Sequence, residues 1–146
     1  MSYSLIYIPK QLIKLDFFDN SSKEFSLKSS PVEKLLKQSD FITLHVPAQK
    51  EYIISEKEFS IMKKGVGIIN AARGGVIDES SLLENISKNK VSFAALDTFE
   101  NEPNPSIKIL MNPNISLTPH IGAATNEAQK RIGIELADQI ISIYNT

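Results

Sequence analysis

Apolar residues in this chain fall into short, largely apolar runs separated by stretches where they recur every three or four positions. Phe41 to Val46, Val66 to Ala71, Val91 to Leu96 and Ile115 to Leu117 are runs of the first kind and read as buried strands. Tyr3 to Ile8, stopped by Pro9, reads as a further short strand. Between them lie helical patterns. Ser30-Pro31 before Val32, Leu35 and Leu36 predicts a helix with Pro at its first position. Ser55 with Glu58 is a capping-box pair that opens a helix to about Lys64, ended by Gly65. Asp78 to Lys88 sets Leu82, Leu83 and Ile86 on one face. Thr125 to Tyr144 is the longest helix, with Ala128, Ile132, Leu136, Ile140 and Tyr144 in register and Thr125 or Asn126 as its cap. Lys10 to Ser30 is mixed, with a turn at Asp19 to Ser22, and Asn101 to Asn114 reads as a loop because it carries Pro103, Pro105 and Pro113.

Continuously apolar strands alternating with helices predict an α/β fold, a mostly parallel sheet covered on both faces in three layers. In such sheets binding residues lie beyond the carboxyl ends of the strands. His45, Arg73, Asp97 and His120 all fall there, after four successive strands.

Composition narrows the function classes. At 146 residues the chain suits one domain, and 42% hydrophobic with 23% charged residues is ordinary for a globular protein. A net charge of −1 offers no electrostatic footprint for nucleic acid or a membrane surface. No apolar run approaches a bilayer span. Cysteine is absent, which removes disulfides, thiolate metal sites and a cysteine nucleophile, and no metal-ligand spacing is present. The stretch from Met1 to Pro9 has no basic region before its apolar residues, so a cytoplasmic protein is expected.

The strand-end residues carry usable chemistry. Arg73 precedes Gly74-Gly75, and its planar guanidinium matches a carboxylate while the glycines allow a sharp turn or close approach. Left to itself, such an Arg is better explained by a helix terminus or a surface acid; its place in this motif at a strand's carboxyl end favours a functional role. His120, between Pro119 and Ile121-Gly122, is suited to exchanging a proton near neutral pH. Its plain alternative is a ring satisfied by backbone. His45 is the second of only two histidines and a candidate cofactor contact. A carboxylate beside His120 would orient the ring, and Glu102 and Glu100 both qualify by spacing. Asp97 either accepts from a cofactor amide or caps a turn. Gly65-Val66-Gly67 imitates a dinucleotide loop, but it precedes its strand and Asn70 stands where a third glycine belongs, so it reads as a helix stop. Lys57, Lys63 and Lys64 read as a solvated helix face.

Four motifs in order, Ser39 to Pro47 (SDFITLHVP), Gly67 to Glu79 (GIINAARGGVIDE), Ala94 to Pro103 (AALDTFENEP) and Leu117 to Gln129 (LTPHIGAATNEAQ), resemble the D-2-hydroxyacid dehydrogenases. The resemblance covers about residues 31 to 144, and Glu127-Ala128-Gln129 looks most like the phosphoglycerate dehydrogenase branch. It implies a partial Rossmann-like NAD-binding domain spanning residues 1–146 and reversible hydride transfer between NAD and a 2-hydroxy or 2-keto acid. Arg73 would grip the substrate carboxylate and carbonyl. His120 would exchange the proton, and Glu102, the acid directly before proline, would hold it. Ala71, Ala72, Asp97, Gly122 and Ala123 would line the nicotinamide, and His45, Val46 and Pro47 would pass near the adenosine. Dimerisation, or a partner supplying the missing half, is also implied.

The chain departs from the family pattern at its front. No glycine precedes Gly65 in this sequence, so the Gly-rich phosphate loop and its first βα unit, and with them the separate substrate domain of the family, are expected to be absent from it. Asp16 is too distant from the first strand to be the ribose ligand, and Ala48 to Ile54 is short and lacks the usual threonine. The chain alone is therefore expected to have no useful turnover. Glyoxylate, hydroxypyruvate or another 2-keto acid is an alternative substrate. A non-catalytic NAD-sensing module is the alternative function.

Overall fold

A computed structural model describes residues 3–4, 11–16, 21–27, 29–48 and 50–144 of the chain. In chain order the elements are β1 (Tyr3–Ser4), β2 (Gln11–Asp16), β3 (Ser22–Leu27), α1 (Val32–Gln38), β4 (Phe41–Leu44), α2 (Glu56–Ile61), β5 (Val66–Asn70), α3 (Glu79–Ser87), β6 (Val91–Leu96), α4 (Ile107–Leu110), β7 (Ile115–Leu117) and α5 (Asn126–Tyr144). The remainder of the expected first strand and the expected turn at Asp19-Asn20 lie outside the described residues.

Five strands form one parallel sheet in the order β1-β4-β5-β6-β7. Four of them are neighbours in both space and sequence, as expected when short helical crossovers link parallel strands. The fold is α/β and Rossmann-like with a mostly parallel sheet, and the antiparallel β2–β3 hairpin stands apart from that sheet.

Register explains how the core is made. Ile42, Ile68, Ala94 and Ile115 sit side by side across four strands, and all are buried. Two residues on, Leu44, Asn70, Leu96 and Leu117 form a second row on the same face. Leu36, Phe59, Leu82 and Ile86 of the helices join this cluster. Each fully buried Leu, Ile or Phe side chain contributes roughly 1.5–3 kcal/mol of transfer free energy. The described residues cover the opposite face less fully. There Phe41 and Phe93 flank Gly67, their ring centroids 5.8 Å apart, and Phe41 is exposed. A Cβ on Gly67 would lie 2.4 Å from the Phe93 ring, so glycine lets the two rings close over the middle strand.

Helix ends follow from local chemistry. Glu58 accepts from the backbone N–H of Ser55 at 3.0 Å and from its hydroxyl at 2.7 Å. Asp78 caps α3 by accepting from the N–H groups of Ser80 and Ser81. Several expectations need correction. Pro31 is the N-cap of α1 and not its first helical residue. Helix α2 ends at Ile61, short of Lys64, with Gly65 turning at φ +81° into β5. The mixed segment before α1 contains a hairpin, and the Pro-rich loop contains α4, anchored by the buried Ile109. Lys63 is paired with Asp40 at 2.8 Å, although both remain about half exposed.

Helix α5 has the periodicity expected of it but not the burial. Ala128 is its one buried residue, and Ile132, Leu136, Ile140 and Tyr144 are 48–85% exposed. Thr125 caps it by accepting from the N–H of Ala128 at 3.1 Å.

Candidate active site

The row Leu44, Asn70, Leu96 and Leu117 marks the carboxyl edge of the sheet. His45, Ala71, Asp97 and Thr118 come next, on four adjacent strands. Backbone bonds continue the ladder past this edge, from Asp97 N–H to the Asn70 carbonyl (2.9 Å) and from Thr118 N–H to the Leu96 carbonyl (3.0 Å). The site is therefore framed by the most regular part of the fold.

Asp97 organises the segment that carries His120. Its Oδ1 accepts from the Thr118 hydroxyl (2.5 Å) and the Ile121 N–H (2.9 Å), and its Oδ2 accepts from the Gly122 N–H (2.8 Å). Burial pushes the Asp97 carboxyl up, but these three donors outweigh it and hold the pKa below the ordinary aspartate range. Of the two readings left open, turn capping is what the geometry displays. Oδ2 nevertheless has acceptor capacity left for an amide. His120 itself has φ +54°, a left-handed conformation that costs a non-glycine residue of order 1 kcal/mol. The bonds from Asp97 on one side, and from His120 N–H to the Thr118 carbonyl at 3.0 Å, stabilise that turn.

Glu102, not Glu100, faces the ring. Its Oε2 lies 2.8 Å from His120 Nδ1 and its Oε1 accepts from the Phe99 N–H at 2.9 Å. The bond from His120 and then the one from Phe99 hold the Glu102 carboxyl below its usual range. A carboxylate on Nδ1 fixes the ring's orientation and leaves Nε2 as the nitrogen that could exchange a proton. An open cavity of ≈ 460 Å³ lies against the pair, walled by Phe99, Pro103, Pro105 and Leu117.

Arg73 stands in an adjoining loop shaped by Asn70, whose signal the sequence reading took only for a missing glycine. The buried Asn70 side chain accepts from the Ala72 N–H (3.1 Å) and donates to the Arg73 carbonyl (2.9 Å). The exposed Arg73 guanidinium donates from Nη1 to the Ala72 carbonyl at 2.7 Å. Gly74 presses this loop onto the next one, since a Cβ there would lie 1.8 Å from the Phe99 carbonyl oxygen. Gly75 turns at φ +75°. Ala71 is exposed and Ala72 buried, Gly122 and Ala123 are exposed, and His45 accepts or donates through Nε2 to the Thr43 hydroxyl at 2.9 Å. Val46 packs against the core and Pro47 is exposed. The structure thus joins Asp97, Glu102, Thr118, His120 and Gly122 in one hydrogen-bonded network. It brings the Arg73 loop to the neighbouring segment through Gly74 at Phe99, and leaves His45 to Pro47 at the end of β4. Thr118 and Glu79 were missed by sequence reasoning. Thr118 had a signal, its hydroxyl directly after a strand. Among the described residues no cluster of His, Asp and Glu could hold a metal ion, and no helix is long and apolar enough to cross a membrane.

Residues 11–122 match the model of the D-isomer specific 2-hydroxyacid dehydrogenase, NAD binding domain. The chain is 43% identical over 125 residues to a D-3-phosphoglycerate dehydrogenase of Archaeoglobus fulgidus, covering 84% of this chain and 24% of that protein. It is 44% identical over 135 residues to a hydroxypyruvate reductase of Thermotoga maritima, covering 88% and 44% respectively. A crystal structure of a glyoxylate reductase from Paecilomyes thermophila superposes with a TM-score of 0.70 at 39% identity, over 79% of this chain and 36% of that one. The chain spans less than half the length of these relatives. It belongs to the D-isomer specific 2-hydroxyacid dehydrogenases, through their NAD-binding domain.

Proposed function

We propose that residues 1–146 form the carboxyl-terminal part of an NAD-binding domain and carry the catalytic residues of a dehydrogenase acting in the cytoplasm on a small 2-hydroxy acid. The observation that carries this reading is the Glu102–His120 contact at 2.8 Å, set by Asp97 at the carboxyl edge of the parallel sheet. NAD, when bound, supplies the acceptor or donor of hydride. The small residues Ala71, Ala72, Gly122 and Ala123, with the acceptor Asp97, fit its nicotinamide end, and His45, Val46 and Pro47 suit the adenosine side. No glycine before Gly65 offers a pyrophosphate cradle, so the fit is to part of the cofactor.

In this reading Arg73 binds the substrate carboxylate through its planar fork and stabilises charge on the carbonyl oxygen. His120 gives a proton to that oxygen from Nε2 as the keto acid is reduced, and takes it back in the reverse direction. Glu102 holds the ring at Nδ1 and so aims Nε2 at the substrate oxygen. The substrate we favour is 3-phosphoglycerate, from the sequence motif after His120 and the likeness to the Archaeoglobus fulgidus protein. Likeness to a hydroxypyruvate reductase and a glyoxylate reductase keeps those keto acids as the second reading. The apolar residues that α5 exposes support a homo-oligomer or a partner chain, and a strict monomer at high concentration would count against both.

NADH binding by calorimetry tests the proposal, with Arg73→Ala and Asp97→Ala as controls. Binding that is lost in the Asp97 variant is expected. Absence of binding to the folded chain would overturn the cofactor assignment. We expect no turnover by the isolated chain, which a substrate panel with pure protein would refute by a single NAD-dependent activity.

A further inference from the structure

Glu79 and Glu100 exchange hydrogen bonds across 21 residues of sequence. The N–H of Glu79 donates to Glu100 Oε1 at 2.8 Å, and the N–H of Glu100 donates to Glu79 Oε1 at 2.9 Å. Glu100 is half-buried and Glu79 buried. Glu79 is 7% exposed, among the most buried charged residues of those described. Its N–H is the first orphan donor of α3, the one that Asp78 does not reach while it serves Ser80 and Ser81. Glu100 therefore completes the cap of α3 from outside, at the positive end of the helix dipole.

The other end of this exchange leads to the site. Glu100 lies between Phe99, whose N–H donates to Glu102 Oε1, and Glu102, whose Oε2 meets His120. The Phe99 carbonyl is pressed by Gly74. The segment 97–102 is thus held at Asp97, at Phe99 and at Glu100, and only the last hold depends on side chains outside the site. We propose that Glu79 and Glu100 form a two-carboxylate clasp that positions Glu102 against His120. Its bearing on catalysis rests on the function proposed above, but the clasp itself does not.

Two carboxylates so placed repel each other, and the surroundings record it. Burial first, and the charge of Glu100 in addition, raise the Glu79 carboxyl above its usual range, against the bond from the Glu100 N–H. The charge of Glu100 raises the phenol of Tyr52, with Asp78 and Glu79 adding to it. Lys50 and Glu51 stand with Tyr52 and Glu100 around the adjacent cavity. The clasp persists because each carboxylate gains a backbone donor, which makes it a device of position more than of strength.

The test is an NMR titration of the Glu102 side-chain carboxyl in the whole 146-residue chain. His120→Ala sets the upward shift for complete loss of the contact. Glu79→Ala and Glu100→Ala are expected to raise the Glu102 midpoint by at least half of that shift. Glu79→Gln, which keeps an oxygen for the Glu100 N–H, is expected to leave it at the wild-type value. Asp78→Ala weakens the same helix without touching the clasp and is expected to leave Glu102 in place. Unchanged Glu102 in a folded Glu100→Ala variant overturns the proposal, whether or not Glu79→Ala folds. So does an equal shift in Asp78→Ala, or a Gln variant that behaves like Ala. A chain that fails to bind NADH yet shows the expected shifts would refute the function and leave the clasp standing.

Discussion

Asp97 Oδ2 accepts from the Gly122 N–H at 2.8 Å, and a Cβ built on Gly122 would come within 2.9 Å of that same oxygen. The contact leaves room for a hydrogen bond and none for a side chain. Gly122→Ala should therefore push Asp97 away and cost about 1–3 kcal/mol by urea unfolding. Asp97→Asn should cost roughly 1.5–3 kcal/mol, because an amide cannot accept on both sides from Thr118, Ile121 and Gly122. A Gly122→Ala variant as stable as wild type would refute the first expectation.

Gly74→Ala is the harsher case. The obstacle at 1.8 Å is the backbone oxygen of Phe99, which no rotamer change can move. We expect a loss of about 3 kcal/mol or more, measured by thermal unfolding. Gly133→Ala on α5, where a Cβ meets nothing, should be neutral or stabilising by up to about 1 kcal/mol.

Stability should fall on acidification. The carboxyls of Asp97, Glu58 and Glu102 are held below their ordinary values of 3.8 for Asp and 4.5 for Glu. For Glu58, burial acts upward but the Ser55 hydroxyl and N–H prevail. Groups with lowered native pKa bind fewer protons folded than unfolded, so their stabilisation is complete above the ordinary values and lost as pH falls through the native ones. Glu79 has the opposite sign, since its raised carboxyl costs stability when charged and is relieved as pH drops toward 4.5. Melting temperatures from pH 7 to 3 should decline for wild type. The advantage of Glu79→Gln over wild type should be larger at pH 7 than at pH 4, and a constant difference would contradict the assignment.

Asp78→Ala removes the acceptor for two first-turn N–H groups of α3. The expected loss is about 1 kcal/mol, seen as a lower urea midpoint without a change in slope.

The strands of the parallel sheet were legible because each is a largely apolar run stopped by Pro, Gly or a polar strand-end residue, and the Ser55–Glu58 pair marked one helix start by its own chemistry. The residues that follow the strands could be named as a group for the same reason. Helix α4 was hidden because four residues between prolines carry no periodicity, and the hairpin because the alternation of Ile13, Leu15 and Phe17, and of Phe25 and Leu27, is short and set among charged and polar residues. The stripe on α5 was read correctly as periodic, but periodicity does not reveal whether a face finds a partner within the chain. Choosing Glu102 over Glu100 by residue chemistry alone was impossible, as both are acids in one loop. Only the fold sends one to His120 and the other to Glu79.

The Glu102–His120 pair is 36–44% exposed at the open mouth of its cavity. Water screens it there, and a contact so placed has little strength of its own. Coulomb attraction at fixed distance scales inversely with the local dielectric, so a ligand that covers the pair strengthens it severalfold without moving an atom. The orientation of the His120 ring is then held most firmly by Glu102 when an occupant fills the cavity and shuts out solvent.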